Sequence, residues 1–168
     1  NGGDRYILYL GDAAPVELRS LPLVMERIVR VREIRSSSNS SATKALATVP
    51  TRFHVTVVPD RPFLVIPKVS SERREYVPIG WLAPPTIASD LLFVQPDAEL
   101  LDFAVLTSRA HMAWLAHIGG RLKSDFRYSI GLVYNTFPWP DATPAQRAKV
   151  ETLAQAVLDA RAAHPTSS

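Results

Sequence analysis

Apolar residues recur along this chain at helical spacing near both ends and in short β-branched runs between. From Leu23 to Arg35, the residues Val24, Ile28, Val31 and Ile34 share one face of a 3.6-residue helix, flanked by Arg27 and Arg30. Pro22 suits the first turn of that helix, where its missing N–H is not needed, and Pro15 can open a shorter turn before it. The stretch SSSNSS at 36–41 predicts a mobile loop, and Ala42–Thr48 a further helical segment stopped before Pro50. After Pro96-Asp97, Ala98–Ile118 reads as one long helix offering Leu101, Val105, Met112, Trp114 and Leu115 for burial. Gly119-Gly120 then ends it as a left-handed cap. A last helix has Thr143 as N-cap and Pro144 in its first turn, and buries Val150, Leu153, Val157 and Leu158.

The runs between read as strands: Arg5–Leu10, Phe53–Val58, Phe63–Ile66, Tyr76–Leu82, Leu91–Val94 and Leu132–Tyr134. Proline cannot donate to a sheet ladder, so fourteen prolines favour an irregular sheet with edge strands over a regular sandwich. The class expected is therefore α+β: a small, mixed, proline-punctuated β-sheet with flanking helices and a C-terminal helix after the FPWP corner. The most informative run is Gly120 to Pro140. There Arg121, Lys123, Asp125 and Arg127 alternate with Leu122, Ser124, Phe126 and Tyr128. In a single strand this alternation presents a file of charged side chains over a half-apolar backing. Such a file suits reading base-pair edges, where donors and acceptors vary along a groove; it is also the pattern of a solvated sheet face.

At 168 residues the chain is expected to form one domain, residues 1–140, with helical segments at about 14–48 and sheet and helix at about 53–134, and then a helix in 141–168. It opens at Asn1 without an initiator Met, and is expected to be a piece of a longer polypeptide. No apolar run approaches the roughly 18 residues that span a bilayer, so no membrane partner is expected. The absence of cysteine excludes disulfides and thiolate metal sites and fits a cytoplasmic protein. Net charge is only +3, but Pro22 to Arg52 holds six basic residues against two acidic ones, a local +4 that exceeds the whole. That block reads either as a phosphate-contacting face, with Arg35 and Lys44 among its contacts, or as a solvated helix whose arginines pair with acids elsewhere.

Catalytic patterns fail when tested. A metal-dependent nuclease of the PD-(D/E)-x-K kind needs a carboxylate two residues before a lysine. Lys44, Lys68, Lys123 and Lys149 are preceded there by Ala42, Ile66, Arg121 and Arg147. No glycine-rich turn follows a strand, as a nucleotide-type cofactor would need. Asn135–Trp139 only faintly echoes a motif that grips a flipped adenine and reads as a structural corner. His54, His111, His117 and His164 are isolated, and no metal ligand set is expected. Ser108 and His111, three apart, lack an orienting acid and read as a helix pair rather than a nucleophile and its base. Glu72-Arg73-Arg74-Glu75 reads as a turn held by ion pairs, or as a phosphate clamp.

Three long phrases, IPKVSSERREYVPIGWL (66–82), FAVLTSRAHMAWLAHIGGRLKSDFRYS (103–129) and VYNTFPWP (133–140), carry a closer signal. Together they resemble the target-recognition domain and following helix of the MmeI-like (type IIL, or IIG) group of large adenine-N6 DNA methyltransferases. In this group methylase and often nuclease are fused in one polypeptide. The resemblance covers nearly the whole chain from RYILYL onward, and extends to the specificity-subunit recognition domains of type I systems.

What the resemblance implies is a division of labour. A bacterial methylase domain of the same polypeptide, N-terminal to this segment, binds S-adenosylmethionine and methylates a flipped adenine. This segment, with no cofactor or catalytic residue of its own, holds double-stranded DNA and selects the sequence. The base-reading pair that matches the family is Lys123 and Asp125, just after GRL, with Arg127 next. Lysine can donate to guanine O6/N7 and aspartate can accept from the cytosine N4 amino group, so this pair should prefer G·C in one orientation. Asp90 is a second expected base reader. Ser70, Ser71, Arg73 and Arg74 are expected on phosphates, against the alternative of a loop braced by Arg–Glu pairs. The competing reading of the whole is a protein-interaction or scaffolding module whose last helix is the partner surface.

Overall fold

The computed structural model describes residues 6–11, 13–54 and 57–164, and divides into two compact units, Asn1–Thr56 and Val57–Ser168. The first holds α1 (Pro15–Arg19), α2 (Pro22–Ser36) and α3 (Ser41–Ala45), followed by a 3-10 turn at Leu46–Thr48. Proline occupies the first turn of both α1 and α2 as expected. On α2, Ile28 is buried and Val24 and Val31 are half-buried, but Ile34 is exposed. The next position on the inner face goes to Arg35, four residues after Val31.

The serine-rich segment is built into helix ends instead of forming a free loop. Ser37 Oγ donates to the Ile34 carbonyl (3.1 Å), and Ser40 Oγ accepts the Thr43 N–H (3.3 Å) as N-cap of α3. Serine hydroxyls satisfy the polar groups that a helix terminus leaves unpaired, which is how this polar run joins two helix ends. Two expected strands are absent. Tyr6–Leu10 makes no ladder (Arg5 lies outside the described residues), and neither do Phe53, His54, Val57 and Val58 (residues 55 and 56 also lie outside). β-branched composition makes a strand only where a partner edge is offered, and among the described residues neither run meets one.

The second unit is α+β, but its strands form two three-stranded antiparallel sheets rather than one. In the first, β1 (Phe63–Pro67) lies between β3 (Gly80–Leu82) and β4 (Leu92–Gln95). Phe63 to Ile66 are all buried, as an unbroken apolar run at the centre of a covered sheet should be. Of the expected strand Tyr76–Leu82 only the last three residues pair, because Pro78 cannot donate to a ladder. In the second sheet, β6 (Asp125–Arg127) lies between β2 (Val69–Ser70) and β5 (Gly120–Leu122). Lys68 joins β1 to β2 and so carries the chain from one sheet to the other.

The long helix is two helices, α4 (Leu100–Leu106) and α5 (Arg109–Ile118). Thr107 Oγ1 donates back to the Phe103 carbonyl (2.6 Å), and Ser108 Oγ accepts the His111 N–H (3.1 Å), so hydroxyl side chains end one helix and cap the next. The Ser108–His111 pair is thus an N-cap. Gly119 is extended (φ −67°, ψ 149°), not left-handed. Glycine is needed there because a Cβ would lie 2.5 Å from the Leu115 carbonyl oxygen. Leu132–Tyr134 belongs to a π-helical turn, Ile130–Tyr134, in which the Asn135 N–H reaches the Ile130 carbonyl (2.9 Å).

The last helix, α6 (Pro144–Ala163), starts with the expected cap: Gln146 Oε1 accepts the Thr143 N–H (2.9 Å) while Thr143 Oγ1 accepts the Gln146 N–H (3.4 Å). It packs against α4 through buried Ala154 and half-buried Val150 and Leu158. Leu153 and Val157, expected in the core, are exposed. Arg161 Nη1 donates to the carbonyl of buried Ile79 (2.6 Å), and Arg147 joins Glu99 at the start of α4 and Glu151 (2.9 Å) on its own helix. The core of this unit gathers Leu64, Ile66, Phe103, Leu115, Tyr128 and Val133. Among the described residues no helix is long and apolar enough to cross a membrane.

Candidate functional site

The charged run 121–127 is a hairpin, not one strand, and this changes which side chains stand together. β5 and β6 pair antiparallel with Gly120 opposite Arg127, Arg121 opposite Phe126 and Leu122 opposite Asp125, which leaves Lys123-Ser124 as a two-residue loop. Such loops need left-handed backbone, and Lys123 supplies it at φ 57°. Directly opposed residues share a face, so the front of the hairpin carries Leu122, Asp125 and Arg127, with Lys123 at the tip. Arg121, which linear alternation would align with them, faces the back. Its guanidinium lies 4.0 Å from the ring centroid of Phe126.

β2 extends the front face. Val69 is opposite Arg127 and exposed, while Ser70 is opposite Phe126 on the inner side. Ser70 is therefore buried and, among the described residues, its Oγ has no hydrogen-bond partner, which does not suit the phosphate contact expected of it. Ser71 is half-buried and its hydroxyl accepts the Arg73 N–H (3.3 Å). Arg73 and Arg74 are exposed and, among the described residues, in no ion pair, so the Arg–Glu brace does not form. The loop is held instead by Asp125, whose Oδ1 accepts the Glu72 N–H (3.3 Å). That contact ties the loop carrying exposed Arg73 and Arg74 to the first residue of β6.

Asp90 is exposed in the turn before β4, its carboxylate accepting from Ser89 Oγ (3.3 Å). Lys68 connects this turn to the hairpin: its N–H donates to the Leu91 carbonyl and its carbonyl accepts the Tyr128 N–H, both at 2.9 Å. Lys123 and Arg127 are exposed, Asp125 is half-buried, and none of the three is in an ion pair among the described residues. Lys123, Asp125 and Arg127 thus stand on one hairpin, to which the loop carrying Arg73 and Arg74 is tied through Glu72.

Arg35 and Lys44 belong to the first unit. Lys44 is exposed, but Arg35 donates to the carbonyls of Leu46 (3.1 Å), Val49 (3.2 Å) and Arg52 (2.8 Å), so it clamps its own backbone instead of offering itself to a phosphate. Exposed Val69 and Leu122 share the front face with Asp125 and Arg127, and sequence reasoning passed over both. Cross-strand register reveals them, and nothing local marks either residue. Among the described residues no group of His, Asp and Glu is arranged to hold a metal.

The chain matches the family described as "MmeI, target recognition domain" over residues 1–141. DNA methyltransferase A of Bacillus subtilis (strain 168) is 41% identical over 161 residues, covering 96% of this chain and 18% of that protein. The solved structure of the type IIL restriction-modification enzyme MmeI in complex with DNA is similar at a TM-score of 0.92 and 41% identity, over 96% of this chain and 22% of that one. The chain spans about a fifth of the length of each relative.

Proposed function

The chain belongs to the MmeI target recognition domain family, and we propose that it is the DNA-sequence-reading part of a larger S-adenosylmethionine-dependent adenine-N6 DNA methyltransferase of the bacterial cytoplasm. Residues 1–140 do the reading, and 141–168 lead by α6 to the rest of the polypeptide. S-adenosylmethionine supplies the methyl group in the methylase part. This chain's own work is recognition.

The observation that carries this reading is the front of the β5–β6 hairpin. B-DNA's major groove, about 12 Å wide, admits a two-stranded β-ribbon, and strands in a ribbon lie about 4.8 Å apart. A ribbon entering tip-first brings Lys123 to guanine O6/N7 and Asp125 to the cytosine N4 amino group, with Arg127 behind them and Asp90 reading from the adjoining turn. Exposed Leu122 and Val69 suit thymine methyl groups on the same path. Arg73, Arg74, Ser71 and Lys44 hold phosphates, which fixes position without specifying sequence.

Asp125 has a double role. The Glu72 N–H occupies one oxygen and aims the carboxylate, which leaves the other oxygen to accept from a base. Exchanging the pair, Lys123→Glu with Asp125→Arg, should reverse the preferred orientation of one G·C pair, at about 1–3 kcal/mol of discrimination per contact. Mapping methylated adenines in cells expressing the full-length protein and the double variant tests this. An unchanged site would overturn the reading. The scaffolding alternative draws on exposed Leu153 and Val157 of α6. Salt-insensitive self-association would favour it, whereas duplex affinity that falls steeply with salt favours recognition of DNA.

A further inference from the structure

The two-residue loop at the tip contains neither glycine nor asparagine, yet Lys123 stands in left-handed backbone at φ 57°. A side-chain-bearing residue keeps that conformation only where its surroundings hold it. Arg121 supplies the hold from behind. Its guanidinium carbon lies over Phe126, 4.0 Å from the ring centroid, while Nη1 donates to the Ser124 carbonyl in the loop (3.0 Å). Phe126 in turn packs against the core. A continuous chain of contacts therefore runs from the core through Phe126 and Arg121 to the loop that carries Lys123.

We propose that Arg121 is a positioning residue for base reading, acting through the loop backbone without touching DNA. The proposal rests on the reading of the hairpin given above. Its chemistry is specific to arginine. A guanidinium divides the two contacts between separate atoms of one rigid plane, Cζ over the ring and Nη1 on the carbonyl, whereas an ammonium has a single nitrogen for both. A phosphate contact would make no such distinction, since lysine serves there as a point charge.

The test uses the full-length methyltransferase with Arg121→Lys and Arg121→Gln. Arg121 is exposed, outside the core, so both variants should keep the wild-type unfolding midpoint. Methylation rates are compared on duplexes altered at the base pair read by Lys123 and Asp125 and on duplexes altered elsewhere in the site. Discrimination at that one pair should fall about tenfold in both variants, with discrimination elsewhere and the salt dependence of binding unchanged. Wild-type discrimination in Arg121→Lys would overturn the proposal, as would a salt slope lowered by about 0.9, the mark of a lost phosphate contact. The Lys123/Asp125 exchange separates the two levels. If it leaves the methylation site unchanged, base reading by the hairpin fails. If it moves the site while Arg121 variants discriminate as wild type does, only the positioning role fails.

Discussion

His111 Nε2 and the Tyr128 hydroxyl share a 2.8 Å hydrogen bond that ties α5 to the residue immediately after β6. The Phe137 ring meets His111 edge-on at 4.6 Å, so the imidazole is enclosed and has no solvent exposure. Burial, reinforced by the neighbouring Tyr134, pushes the Tyr128 pKa up, and the hydroxyl stays protonated. Burial pushes the His111 pKa down to about 4. The root of the β5–β6 hairpin is thus pinned to the core by two neutral groups.

Stability should fall in acid because of this histidine. Its pKa is about 4 when folded and about 6.5 when unfolded, so between those values the unfolded chain binds the extra proton. The contribution is present above pH 6.5 and is lost as pH falls through the window, by up to about 3 kcal/mol. Urea midpoints at pH 7.5, 5.5 and 4.5 for the wild type and His111→Gln check this. The difference between the two proteins should change across the window, and parallel curves would show that another group is responsible.

Ser70→Ala should leave DNA binding intact. The substitution removes a buried hydroxyl that has no partner among the described residues, so stability should stay level or rise by up to about 1 kcal/mol. The pair Arg73→Ala with Arg74→Ala should instead lower the salt slope of duplex binding by about 1–2. Weaker duplex binding by Ser70→Ala at an unchanged slope and unfolding midpoint would restore that residue to the phosphate surface.

Arg161→Met should destabilise the second unit by about 1–3 kcal/mol. It keeps much of the side-chain bulk over Phe103 but removes the donor to the carbonyl of Ile79, a residue only 1% exposed. Denaturant unfolding should show a lower midpoint at unchanged slope. An unshifted midpoint would mean the carbonyl is satisfied without Arg161.

Local signals were legible where local chemistry decides. Pro22 opens α2 and Thr143 with Gln146 opens α6, because a missing N–H and a side-chain acceptor act within one turn of chain. The run Phe63–Ile66 was legible as a strand because it is apolar at every position. The break at Thr107-Ser108 was hidden because the apolar pattern continues across it while two hydroxyls take over the backbone groups. The misplacement of Leu153 and Val157 has a similar origin: periodicity gives the faces of a helix, but the partner decides which is covered. On α6 the small Ala154 is the residue that is buried instead.

By itself the amino-acid sequence determined the α+β class, most helix starts and the family, since these rest on caps, prolines and long shared phrases. Tertiary structure alone decided that 121–127 folds back on itself, that Arg121 supports the loop from behind, that Ser70 is buried and that Glu72 holds Asp125. The reason is register: β2 lies more than fifty residues before β6, and which face a side chain takes depends on the residue brought opposite it.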